Sequence, residues 1–157
     1  LQQFQIQFSR TYERQVDAIR QLYDGMRQLL SRLDHVSFLI GLEDFFKTSN
    51  PPKIHEPIAE ATAAHTAVSR LYDDSDIYLP SSLSDRIKEF LDTTSSPSMN
   101  THTLFAEHFT KDMVREWKTL WSETKPTVEQ LMSDLKTEFR RLQGIDTLGQ
   151  QSPARDK

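Results

Sequence analysis

A chain of 157 residues, 36% hydrophobic and 27% charged, carries enough apolar material for one core and too much to stay disordered. Its formal net charge of −4 comes from signs that alternate along the chain, so no basic surface is concentrated enough for a nucleic-acid partner. The absence of cysteine excludes disulfides, thiolate nucleophiles and cysteine-based zinc sites, and suits a reducing, cytoplasmic setting.

Residues 1–47 read as one helix. Tyr12, Val16, Ile19, Tyr23, Met26, Leu30 and Leu33 recur at alternating spacings of four and three, the apolar seam of a helix lying along another. Only Gly25 and Gly41 weaken the run, so a rod of about 45 residues, roughly 65–70 Å, is expected. Charges alternate on its outer side (Arg10 with Glu13, Asp17 with Arg20, Asp24 with Arg27), which is the pattern of a solvated face. From Val36 the apolar stripe widens to take in Phe38, Leu39, Ile40, Leu42, Phe45 and Phe46, as for a helix surrounded by neighbours. Leu1, Phe4 and Phe8 already run in register with no cap before them, which predicts that the helix continues upstream in a longer protein.

Pro51 and Pro52 end this helix. A second, rich in alanine, starts between Pro52 and Pro57 and runs to Asp73, with Ile58, Ala61, Val68, Leu71 and Tyr72 inward. After an acidic turn, Ile77, Tyr78, Leu79 and Pro80 lead into a third helix over 81–93, with Leu83, Ile87, Phe90 and Leu91 inward and Ser82 with Asp85 as a capping box. The Ser/Thr/Pro-rich residues 93–99 read as a loop. Asn100 or Thr101 then caps a fourth helix carrying Leu104, Phe105, Phe109, Met113, Trp117, Leu120, Trp121, Val128, Leu131, Leu135, Phe139 and Leu142, kinked near Ser122 by Pro126. Gly144 is placed to end it in a left-handed conformation, with Ile145 folding back, and residues 146–157 read as a disordered tail.

Short connections imply antiparallel neighbours, hence an all-α, up-down four-helix bundle with long first and fourth helices and short second and third ones. Within residues 1–145, residues 1–33 with 126–145 form a stalk and 34–125 a head. A stalk buried along one seam is marginal, which predicts self-association or a protein partner there.

No catalytic, cofactor-binding or metal-binding residue emerges. His35, His55, His65, His102 and His108 lack the Glu-x-x-His pattern of di-iron bundles and the zinc protease pattern. His65 and His108 lie at stripe edges, where a hydrogen-bonded, partly buried imidazole is expected. Ser49, Ser81, Ser82, Ser95 and Ser96 sit at caps and loops, and the glycines are isolated, so neither a nucleophile nor a phosphate loop is present. Trp117 and Trp121, one turn apart, read as core, with a ligand platform between helices as the other option. An enzyme is not expected.

The stretches FSRTYERQVDAIRQLY (8–23), IYLP (77–80), Trp117 and EFRRLQGI (138–145), in that order, resemble a widespread group of uncharacterised bacterial helical-domain proteins. Where similar proteins carry a basic residue and Asn before the IYLP turn, this chain has Asp74, Ser75 and Asp76. The resemblance implies an upstream hydrophobic segment and coiled coil, and so membrane attachment of the full-length protein, but supplies no catalytic residue. The residues 36–42 form the longest nearly uncharged apolar run, far short of the ~20 needed to span a bilayer, so this part alone is expected to be soluble. Two functions follow: a non-enzymatic interaction or scaffolding module, and a sensory ligand-binding bundle.

Overall fold

A computed structural model describes residues 2–41, 55–104 and 111–144. They form α1 (Gln2–Gly41), α2 (His55–Ser75), a 3-10 turn (Asp76–Tyr78), α3 (Ser81–Leu104) and α4 (Lys111–Leu142), with no strand among the described residues. The four helices pack together: α1 touches α2 and α4, and α3 touches the same two from the other side. No described helix is long and apolar enough to cross a membrane.

In α1 the buried row is Ile19, Leu22, Met26, Leu29, Leu33, Val36 and Ile40. This row shares only Ile19, Met26 and Leu33 with the expected seam. Tyr23 and Leu30 lie half-buried at one edge, whereas Leu22 and Leu29 are completely buried. The cause is that α1 faces two helices at once, so its apolar stripe is wide and a four-three rhythm can be drawn along either edge. Nor is the end of α1 enclosed all round, because Phe38 is 64% exposed. Leu42, Phe45 and Phe46 lie outside the described residues.

Residues 19–33 of α1, assigned to a stalk, have α2 beside them as well as α4. Gly25 marks the closest approach: a Cβ there would sit 3.0 Å from Cγ2 of Val68, whose side chain is completely buried. Lower down, Arg14 reaches the Tyr78 hydroxyl at 3.3 Å. The opposite face of α1 carries the Arg20–Asp17 pair at 2.6 Å, well exposed and worth little.

Helix α3 departs most from expectation. The residues 93–99 continue it instead of forming a loop, with Pro97 inside. Thr93 and Thr94 donate back to the Glu89 and Phe90 carbonyls at 2.7 and 2.8 Å, and two neighbours hold the turn that Pro97 weakens. Thr62 of α2 donates to the Ser98 carbonyl at 2.8 Å, and the Trp117 indole of α4 donates to the Pro97 carbonyl at 2.9 Å. Tertiary partners thus satisfy backbone groups near the proline, and helix wins over local propensity. Leu104 therefore belongs to α3, and α4 starts at Lys111 rather than at residue 100 or 101. Phe105, Phe109 and His108 lie outside the described residues.

At its other end α3 starts at Ser81, with the Pro80 carbonyl accepting from the Leu83 and Ser84 amides. Ser82 is already inside the first turn, so the Ser82–Asp85 capping box does not form. Ser84 does the tying instead, bonding the Tyr72 hydroxyl at 2.9 Å and the Asp76 carboxylate. Helix α4 runs unbroken through Pro126. It ends as expected at Gly144, whose φ is 70° and whose amide bonds the Arg141 carbonyl at 3.1 Å. Residue 145 and the tail 146–157 lie outside the described residues.

Gly25→Ala tests the close approach. Alanine brings up to about 1 kcal/mol of helix propensity, but Val68 is held in one rotamer and cannot yield. We expect a net loss of about 0.5–1.5 kcal/mol in chemical denaturation, and recovery of helix propensity when Val68→Ala is added. A Gly25→Ala variant more stable than the parent would show that the two helices part freely there.

Candidate functional site

Two clefts flank α4. Between α3 and α4, Arg86 donates to Asp134 at 2.8 Å across an open groove of about 730 Å³, and Gln130 donates to the other oxygen of Asp134 at 2.9 Å. Both carboxylate oxygens are therefore occupied, and the pair fastens α3 to α4 across half-exposed surface, where an ion pair contributes about 0–1 kcal/mol.

The cleft between α1 and α4 is chemically richer. Trp117 and Trp121, each 2% exposed, stack with ring centroids 6.5 Å apart and fill the core. The Trp121 indole donates to Oδ1 of Asp34 at 3.2 Å, and Lys125 donates to the same oxygen at 2.9 Å. Glu129 lies 3.8 Å from Lys125. The hydrogen bond from Asp34 pushes the Lys125 pKa above the ordinary 10.5, aided by the charges of Asp34 and Glu129 and opposed by desolvation. Around this trio lies an open pocket of about 540 Å³, lined in addition by Ser37, Phe38, Lys118 and Ser122. Ser37 and Phe38 follow Asp34 on α1, while 118, 121, 122 and 125 share one face of α4 because they recur at helical spacing.

The core reading of the two tryptophans holds, and Trp121 also lines a pocket. Sequence inspection missed Asp34 and Lys125, since an acid and a lysine on charged helices carry no local mark of their partnership. His65 is 4% exposed, deeper than a stripe edge. Its Nε2 faces the Leu91 carbonyl at 3.0 Å, so Nε2 carries the proton, and Nδ1 has no partner among the described residues. His35 is exposed on α1. Among the described residues no three His, Asp or Glu side chains converge as metal ligands.

Comparison with known proteins makes no assignment: no family model, curated protein or solved structure matches the chain. The chemistry of the pocket is therefore read from its own residues. A carboxylate oxygen already shared by an indole and an ammonium is a positioning group, held in place by the two helices it joins.

Replacing Asp34 separates its two duties. Asp34→Leu leaves a buried indole N–H without an acceptor and should cost about 1–3 kcal/mol with a shifted Trp emission. Asp34→Asn keeps an acceptor for Trp121 and should cost less than about 1 kcal/mol, since the lysine is more than a third exposed. Because the Lys125 pKa is raised by folding, its contribution is complete below the unfolded lysine value near 10.5 and disappears as pH climbs through the folded value. Denaturation midpoints should therefore fall above about pH 10.5 in the parent and fall less steeply in Asp34→Asn. Parallel alkaline limbs would remove the ion pair from the account.

Proposed function

We propose that this chain is a non-enzymatic interaction or scaffolding module, an antiparallel up-down bundle with long α1 and α4, that meets a protein partner or a second copy through the protruding end of α1. The observation that carries this reading is the abrupt change of exposure along α1. Ile19 and Leu22 are 5% and 0% exposed, whereas Tyr12 and Ile6 are 43% and 51% exposed. Arg14 makes the lowest side-chain hydrogen bond from α1 to a neighbouring element among the described residues, and about twelve residues, roughly 18 Å of helix, precede it in α1. A helix segment whose described side chains are exposed gains little from packing and is marginal alone, so a partner supplies what the bundle does not.

The antiparallel arrangement is supported by cross-helix pairs that run in opposite order along the chain. Arg32 meets Glu60 while Arg14 meets Tyr78. His65 meets Leu91 while Tyr72 meets Ser84. Trp117 meets Pro97 while Asp134 meets Arg86, and Asp34 meets Trp121 while Tyr23 meets Phe139. On this reading the full-length protein resembles the bacterial helical group, the α1 end leads upstream to a coiled coil and a hydrophobic membrane segment, and the bundle faces the cytoplasm. The pocket beside Trp121 favours a second reading, a ligand-binding bundle of sensory type.

Sedimentation velocity tests the first reading. Tyr12→Glu should weaken self-association at least tenfold, about 1.4 kcal/mol, with a melting temperature within about 2 °C of the parent. A chain that stays monomeric at about 300 µM, and whose α1 end crosslinks to no other protein in cells, sinks the proposal. Fractionation of the full-length protein tests attachment: it should sediment with membranes, resist high salt and be released by detergent.

A further inference from the structure

The pocket between α1 and α4 has an unspent charge. Asp34 compensates Lys125 and also accepts from the Trp121 indole, so those three groups satisfy one another. Lys118 makes no hydrogen bond or ion pair among the described residues, and neither do the hydroxyls of Ser37 and Ser122. The position of Lys118 is defined all the same. Its ammonium lies over α1, 3.8 Å from where a Cβ at Gly41 would stand. Lys125 is shared by Asp34 and Glu129, so among the described residues the Lys118 ammonium is the cation of this pocket left without a paired acid. The apolar part of its lining is the 64%-exposed ring of Phe38 on α1, with the Trp121 indole, only 2% exposed, at its floor on α4, one turn from Lys118.

We propose that this pocket binds a monoanionic carboxylate carrying an aromatic or short aliphatic body, with the carboxylate on Lys118 and the body against the exposed ring of Phe38. The inference rests on the ligand-binding reading and gives it a ligand class. A single anion matches the single uncompensated ammonium, and Ser37 and Ser122 offer donors to the second carboxylate oxygen. The exposed Phe38 ring gains by being covered. A cationic ligand meets the unpaired Lys118 ammonium, and the second charge of a dianion would lie near the carboxylates of Asp34 and Glu129. The pocket is open rather than enclosed, so a small acid should bind with a dissociation constant on the order of 0.1–1 mM.

The test follows amide and indole N–H signals of the intact chain by NMR during titration with phenylacetate, phenylethanol and phenethylammonium, which share a ring and differ in charge. We expect saturable shifts at the Trp121 indole and the Ser37 amide with phenylacetate, and about tenfold weaker binding of phenylethanol. Lys118→Gln should weaken phenylacetate at least about fivefold while leaving the melting curve in place, since its ammonium has no partner to lose. Acetyl-glycyl-phenylalanine, titrated in parallel, distinguishes a peptide C-terminus from a free acid, and tighter binding of either keeps the carboxylate class. Equal affinity for acid and alcohol, or indifference to Lys118→Gln, overturns the inference. Saturation by phenethylammonium alone would overturn the acid class while keeping a ligand-binding bundle. No saturable shift with any probe up to about 10 mM removes both.

Discussion

The bundle depends on the buried row of α1. Seven side chains from Ile19 to Ile40 lie between 0% and 6% exposed, and both α2 and α4 are packed against them. Two helices can share one row only if they come close, and Gly25 lets α2 do so. There a missing side chain lets Val68 approach to a distance that no Cβ would tolerate easily. Helix α3 then closes the structure from the far side, placing Leu83, Ile87 and Phe90 in the same core.

A core holding two tryptophans has to satisfy two indole N–H groups, because a buried donor without an acceptor costs about 1–3 kcal/mol. The two indoles are satisfied differently, and both solutions shape the molecule. Trp117 uses the carbonyl of Pro97 itself, and so ties α4 to α3 at the proline. Trp121 uses the carboxylate of Asp34, which draws Lys125 after it and fastens α1 to α4. The candidate pocket is a by-product of that second solution: Asp34 is committed to Lys125, and Lys118 pairs with no acid among the described residues.

Helix identity was legible in the sequence because apolar periodicity is local. The inward residues of α2 and of the first half of α3 follow from spacing alone, and Gly144 ends α4 in the left-handed conformation that its position suggests. What could not be read is everything set by partners distant along the chain. Leu22 and Leu29 escaped because the seam drawn from Tyr12 followed one edge of a stripe that has two neighbours. The Ser/Thr/Pro segment carried the local signature of a loop, yet it is helical because donors 36 and 20 positions away satisfy its carbonyls. Asp34 and Trp121 are 87 positions apart, so no spacing rule joins them.

The two functional readings concern opposite ends of the same rod. At Tyr12 α1 is exposed, and near residue 38 it flanks the pocket. In between it is held along a continuous packed row, and interiors packed at crystal-like density shift as units rather than deform gradually. A ligand that drew Phe38 toward Trp121 would therefore act on the α1–α4 contact as a whole, through Asp34 and on to Tyr23 against Phe139. Coupling requires that the two arrangements of α1 differ in ligand affinity, because a ligand with equal affinity for both shifts nothing. Phe38 and Lys118 are the groups able to supply that difference: neither is committed to the core, and each sits on one of the two helices that would move.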